Sequence, residues 1–141
     1  MKNQTINECM QERLLRQIPK DPAKSRKSIK VAEKRLREAE KAVKLEIPPY
    51  AIMQAYTAMF HAARALLYQD GIQEKSHWAT YIYLKEKYAD KIPANLLNIH
   101  RIERHETLYG LEYNPTQKEA QTAIDDAKKL INTIKKQLQT K

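Results

Sequence analysis

The sequence predicts an all-α fold, a mainly antiparallel four-helix-type bundle with additional short helices, and three observations carry that reading. The 141 residues include only two glycines and six prolines, which leaves little room for the hairpin turns of a sheet protein. Apolar residues recur at spacings of three and four along several long segments, the period of a helix with one buried face. The connections between those segments are short, so neighbouring helices run antiparallel. A chain of this length holds one sizeable core, and a single domain over residues 1–141 with no sheet is expected.

The elements follow in order. Ile6, Met10 and Leu14, with Ile18 as a further apolar position, form a short amphipathic helix ahead of Pro19. Cys9 lies near its apolar side, and a lone thiol without a local histidine reads as a small hydrophobe rather than a nucleophile. Pro19 to Lys24 read as a turn. From about Ser25 to Lys44, the apolar positions Ile29, Ala32, Leu36, Ala39 and Val43 suit packing in a bundle, while basic residues occupy the other faces. The connection LEIPPY leads into the central helix, Pro49 to Gly71, whose apolar arc is wide. Ala55, Met59, Ala62, Ala63 and Leu66 lie on one side, with Met53, Tyr56, Phe60 and Leu67 beside them. Pro48 and Pro49 suit its first turn, where no amide donor is lost, and Gly71 after Asp70 suits its end, where glycine enters the left-handed region. Ser76 is placed to cap a following helix in which Trp78, Tyr81, Ile82 and Tyr88 are bulky packing groups. Pro93 opens another, with Leu96, Leu97, Ile99 and Ile102 facing inward. Asn114 as N-cap and Pro115 as first residue mark the last helix, whose apolar side runs from Ala120 to Leu138.

Several function classes drop out. No uninterrupted apolar segment is long enough to span a membrane, and MKNQTINECMQERL lacks the apolar core of a secretory signal. One cysteine forms no internal disulfide, so a cytoplasmic setting is expected. There is no glycine-rich phosphate loop, no HExxH and no cysteine pair, and His61, His77, His100 and His105 follow no ligand spacing. No metal and no cofactor are expected, and Asp125 with Asp126 reads as helix surface.

The net charge of +9, from 26 Lys/Arg against 17 Asp/Glu, admits a nucleic-acid contact, solubility alone or an acidic protein partner. Lys20, Lys24, Arg26, Lys27, Lys30, Lys34, Arg35 and Arg37 crowd one stretch against only Asp21 and Glu33. It is a candidate phosphate contact without the interleaved aromatics that read bases. His61 and Arg64 stand one turn apart within the central apolar segment, where a guanidinium needs solvent, a carboxylate or an anion. Facing them across the bundle, Arg104 and His105 complete a set in which arginine holds a phosphate and histidine exchanges a proton. Those are the minimal tools for cleaving RNA through its 2′-hydroxyl. His61, Arg64 and Arg104 are therefore the candidate nucleotide or phosphate ligands of an anion-attracting cleft, with His105 nearby and Tyr109 at its rim. Ion pairing of the arginines to Glu103 or Glu106 is the structural alternative.

The run AYTAMFHAARALLYQDGIQEKSH, Ala55 to His77, resembles the HEPN domain family, in particular its small single-domain archaeal and bacterial members. The segments KVAEKRLREAEKAV and EAQTAIDDAKKLINTIKKQL fit the same arrangement, so the resemblance covers about residues 5–139. It implies an up-and-down helical bundle, a homodimer, a minimal nucleotidyltransferase partner, or both, and for many relatives RNase activity as toxins or defence effectors. Other relatives lack catalytic residues and bind nucleotides or protein partners. The family's RNase signature is an arginine, often with Asn, Asp or His directly after it, then four to six intervening residues and a histidine. Arg104 and His105 match its first half, but HETL leads to Tyr109 instead of histidine, and Arg101 reaches His105 after only IER. A phenol is a poor proton shuttle near neutrality. The resemblance thus implies a noncatalytic binding module, with an atypical RNase site of Arg104, His105 and Tyr109 as the alternative.

Overall fold

In the computed structural model, which describes residues 4–140, everything is arranged around α3 (Pro48–Asp70). Its two prolines occupy the first turn, and the helix ends at Gly71 with φ 79°. A Cβ there would lie 2.7 Å from the Ile18 carbonyl oxygen, so both conformation and space require glycine. Ala51, Ala55, Ala58, Met59, Ala62 and Leu66 are fully buried. The carboxylate of Asp70 at the helix end accepts hydrogen bonds from Tyr83 (2.8 Å) and Tyr88 (2.5 Å), which tie α4 and the turn after it to α3.

Helix α2 (Pro22–Lys44) lies antiparallel against α3. Ser25 Oγ donates to the Ala65 carbonyl (2.7 Å) and Ser28 Oγ to that of His61 (2.6 Å), so residue numbers rise on one helix as they fall on the other. Side chains this short reach a facing backbone only when two helices approach closely, and the buried Ala32, Ala39 and Ala42 permit that approach. Helix α6 (Gln117–Gln139) packs on both and runs antiparallel to α2, as its Lys135–Glu33 (2.7 Å) and Lys128–Glu40 (3.0 Å) ion pairs show. Helices α4 (His77–Lys87) and α5 (Asn95–Tyr109) cover the remaining side of α3.

Four details differ from expectation. The sheet-free reading fails at one place: after the short α1 (Ile6–Gln11), Leu15–Gln17 (β1) pairs antiparallel with Ile72–Glu74 (β2), Leu15 opposite Glu74 and Gln17 opposite Ile72. Leu14 and Ile18 mimic a helical spacing, but the helix stops at Gln11, Arg13 takes φ 60°, and Leu15 is the buried residue. Helix α2 starts at Pro22, three residues before Ser25, because Asp21 accepts from the Lys24 amide and Pro22 suits the first turn. Helix α6 is capped by Thr116, not Asn114, because Thr116 and Glu119 form a reciprocal capping box that Asn114 and Pro115 only precede. In α5, Leu97 is buried but Ile99 and Ile102 are 52% and 50% exposed.

The inward position of α5 is taken by His100, 3% exposed, whose Nδ1 meets Glu103 Oε1 and whose Nε2 meets Asp126 Oδ2, both at 2.8 Å. Burial pulls its pKa down, but the two hydrogen bonds and the carboxylate charges outweigh that and raise it above the ordinary value. The imidazolium therefore latches α5 to α6. A raised folded pKa means that this stability is fully present below the unfolded value, about 6.5, and is lost as pH rises through the folded one. The melting temperature should accordingly fall as pH climbs through that interval. His100→Gln should lower it and flatten its pH dependence, as thermal melts over a pH series would show.

Candidate functional site

Tyr56, Phe60 and Arg64 stand four residues apart on α3 and so share one face. The residue that meets them is His77, set at the first position of α4 because Ser76 caps that helix, its Oγ accepting from the Ala79 amide at 3.0 Å. The His77 ring stacks on Phe60 with centroids 4.0 Å apart and planes 7° from parallel. Its Nδ1 lies 2.8 Å from the Tyr56 hydroxyl.

Three arginines surround this stack. Arg64 lies 5.7 Å from the Phe60 centroid, donates from Nε to Glu74 (2.9 Å) and bonds the Tyr68 hydroxyl. Arg101 lies 5.5 Å from the Trp78 ring and donates to Asn98 Oδ1 at 3.0 Å. Arg104 lies 5.9 Å from the Tyr56 ring and has no carboxylate partner among the described residues.

Protonation states follow from these contacts. Burial pushes the Tyr56 pKa up, although Arg101 and Arg104 pull the other way, so the group remains a phenol. At 1% exposure its O–H must find an acceptor, and the acceptor is His77 Nδ1. The remaining proton of a neutral His77 then sits on Nε2. Burial lowers the His77 pKa, and Arg104, Arg101 and Arg64 lower it further, which keeps the ring neutral near pH 7. The result is an N–H donor beside cations, on a ring that is solvent-exposed despite one face being covered by Phe60. Such a group can bond a phosphate oxygen, and its exposed part can meet a planar base.

The expected site residues divide between two places. Arg64 and Arg104 both come close enough to His77 to shift it. His61 stands at the Phe60 edge, 6.2 Å between centroids, its pKa lowered by burial, then by Arg64 and Arg35. His105 and Tyr109 lie on another side of α5, both exposed, with their rings 4.9 Å apart. Successive helix residues diverge by about 100°, so Arg104 can turn toward Tyr56 only if His105 turns away. Glu103 bonds His100. Sequence reasoning left His77 without a role and read Tyr56 and Phe60 only as packing. The available signal was the capping Ser76 directly before His77, together with the four-residue step between two aromatics. No group of three or more His, Cys, Asp and Glu that could hold a metal ion occurs among the described residues. Nor is any helix there long and apolar enough to cross a membrane.

The pattern of the HEPN domain family matches residues 25–137, a span that contains α3, α4 and α5 with this whole cluster. The chain belongs to the HEPN domain family. It is also 28% identical over 115 residues, 78% of this chain and 85% of the relative, to a Methanocaldococcus jannaschii protein described as "Putative toxin MJ0605".

The cluster predicts an ordering of histidine titrations in this HEPN protein. By NMR, His61 and His77 should titrate below the ordinary value of about 6.5 and His100 above it. Arg104→Ala should move His77 upward, since it removes the largest of the three arginine effects while leaving Tyr56 in place. An unmoved His77 midpoint would show that Arg104 does not act on this ring.

Proposed function

We propose that this HEPN-family chain is a noncatalytic RNA-binding module, working in the cytoplasm within a toxin–antitoxin or defence pair whose other member is a minimal nucleotidyltransferase. The observation that carries the binding role is Arg104, unpaired by any carboxylate among the described residues, beside a neutral His77 stacked on Phe60. A half-buried cation and an N–H donor call for an anion, and the exposed part of the imidazole adds a surface for a base. A nucleotide unit of RNA supplies both. The toxin wording of the M. jannaschii relative supports the biological setting.

Fluorescence anisotropy with a labelled single-stranded RNA tests the reading. Arg104→Ala and His77→Ala should each weaken binding by about tenfold, the loss of one charge-assisted or stacking contact of about 1.4 kcal/mol. Arg104→Ala should melt near wild type, whereas His77→Ala, which leaves the buried Tyr56 hydroxyl without its acceptor, should melt earlier. Unchanged affinity in both variants would remove the site. The second reading, an RNase that uses Arg104, His105 and Tyr109, is favoured by the close pairing of the His105 and Tyr109 rings. Metal-independent RNA cleavage by the wild type, lost in Arg104→Ala, would establish it. Cleavage gained only in Tyr109→His would show that the noncatalytic chain lacks just a proton-transfer group.

Assembly is part of the proposal. Ile99, Ile102 and Tyr109, the last 68% exposed, fall on one outward side of α5, and an apolar side of this kind suits a second copy related by a two-fold axis. Light scattering over a concentration series should give a dimer for the wild type and a monomer for Ile102→Asp. A wild-type monomer at all concentrations would leave this side to the nucleotidyltransferase partner.

A further inference from the structure

The outward face of α2 holds a row of cations that the site on α3, α4 and α5 does not use. Lys27, Lys30, Lys34, Arg37, Lys41 and Lys44 are all exposed. At about 100° per residue they fall within one arc about 100° wide, opposite the face that buries Ser28, Ala32 and Ala39. From Lys27 to Lys44 the row is about 25 Å long at 1.5 Å per residue. The acids of α2 do not neutralise it. Glu33 pairs with Lys135, Glu38 with Arg35 and Glu40 with Lys128, each on the flank of the arc. None of the six cations has an acidic partner among the described residues.

A face that serves solubility alone mixes charges, because like charges three and four residues apart destabilise a helix and opposite ones stabilise it. Here Glu33, Glu38 and Glu40 stand three or four residues from five of the row's cations, but each pairs with Lys135, Arg35 or Lys128 instead, so the repulsion along the row is only partly offset. A polyanion lying along the row removes that penalty and releases its own counterions. The row contains no aromatic or large apolar anchor, which a protein interface of this length would need at its centre. It does have a regular repeat of single cations, which suits a partner whose charge also repeats. We propose that the outer face of α2 is a second, sequence-independent contact, a rail for the phosphate backbone of RNA. The identity of the polymer rests on the RNA-binding reading of the His77 cluster, but the contact is separate from that cluster.

The test compares two variants of the full chain with the same change in charge. One carries Lys30→Gln, Lys34→Gln and Lys41→Gln, and the other carries Lys118→Gln, Lys129→Gln and Lys136→Gln on α6. Anisotropy with labelled single-stranded RNA over a KCl series gives the slope of log affinity against log salt. Each lost phosphate contact reduces that slope by about 0.7, so the α2 variant should lose about 2 and the α6 variant little. The same difference should persist in an Arg104→Ala background, which lets the rail and the cluster fail separately. Equal losses in the two variants, an unchanged slope in the α2 variant, no RNA binding by the wild type, or disappearance of the difference in Arg104→Ala would overturn the rail. Binding of polyglutamate as tight as that of RNA would overturn it in favour of an acidic protein surface. Lys34→Gln alone, expected to remove about 0.7 of slope, repeats the measurement should the triple variant melt early.

Discussion

The close approach of α2 to α3 is the constraint on which the other arrangements rest. Two serine hydroxyls reach across to the carbonyls of His61 and Ala65, and a larger side chain at Ser25 or Ser28 would hold the helices apart. Because alanines line so much of α3, α2 and α6 can approach it closely and enclose it. That enclosure leaves one stretch of α3 for polar work, the side bearing Tyr56, Phe60 and Arg64. The candidate cluster sits where the packing of the other helices leaves room for it, and its base is a rigid helix instead of a loop.

Within the cluster, a single buried hydroxyl sets the chemistry. Tyr56 is too deeply enclosed to bond water, so it donates to His77 and thereby fixes which ring nitrogen keeps its proton. The three arginines complete the effect by disfavouring a second proton. A neutral histidine that donates from Nε2 is well placed to recognise an anion and poorly placed to abstract a proton through that nitrogen. This distinction separates a binding site from a general-base site more sharply than the residue types do. Arg64 is largely satisfied by Glu74 and Tyr68, whereas among the described residues Arg104 has only the Tyr56 ring. The two arginines therefore play unequal parts: one braces the cluster against β2, and the other is the cation that the proposed binding role requires.

Much of the fold was legible because long helices repeat their signal. In α6, each turn from Ala120 to Ile134 restates the buried side, and in α3 the proline start and glycine stop agree with the apolar run between them. Short elements offer no such repetition. Leu14, Leu15 and Ile18 span too few residues to separate a period of two from one near four, and the β1–β2 ribbon was missed there. The inward face of α5 was misjudged for another reason. Ile99 and Ile102 look like core, but the inward place belongs to His100, whose burial depends on Glu103 three residues away and Asp126 on a different helix. A long-range polar partner leaves no periodic trace. The same holds for the site: Arg64 and Arg104 are conspicuous as charges in apolar helices, while His77 acquires meaning only when the fold brings it onto Phe60.

Helix α5 shows how these features are coupled. Its His100 latch fixes the rotation of the helix about its axis, and that rotation sends Arg101 and Arg104 toward the aromatic rings while Ile99, Ile102 and Tyr109 point outward. A turn by one residue position, about 100°, would exchange these roles, so the latch holds the cationic side and the apolar side in register together. It also explains why Arg104 and His105, adjacent in sequence, point to different sides of α5. A histidine at position 105 could reach an RNA held by Arg104 only if that RNA crossed to the outward side of α5, or if a second copy brought its own outward side there. A two-fold contact along α5 satisfies the second condition while covering the exposed isoleucines. The packing that turns Arg104 toward Tyr56 thus leaves any contribution of His105 and Tyr109 to the same site dependent on assembly.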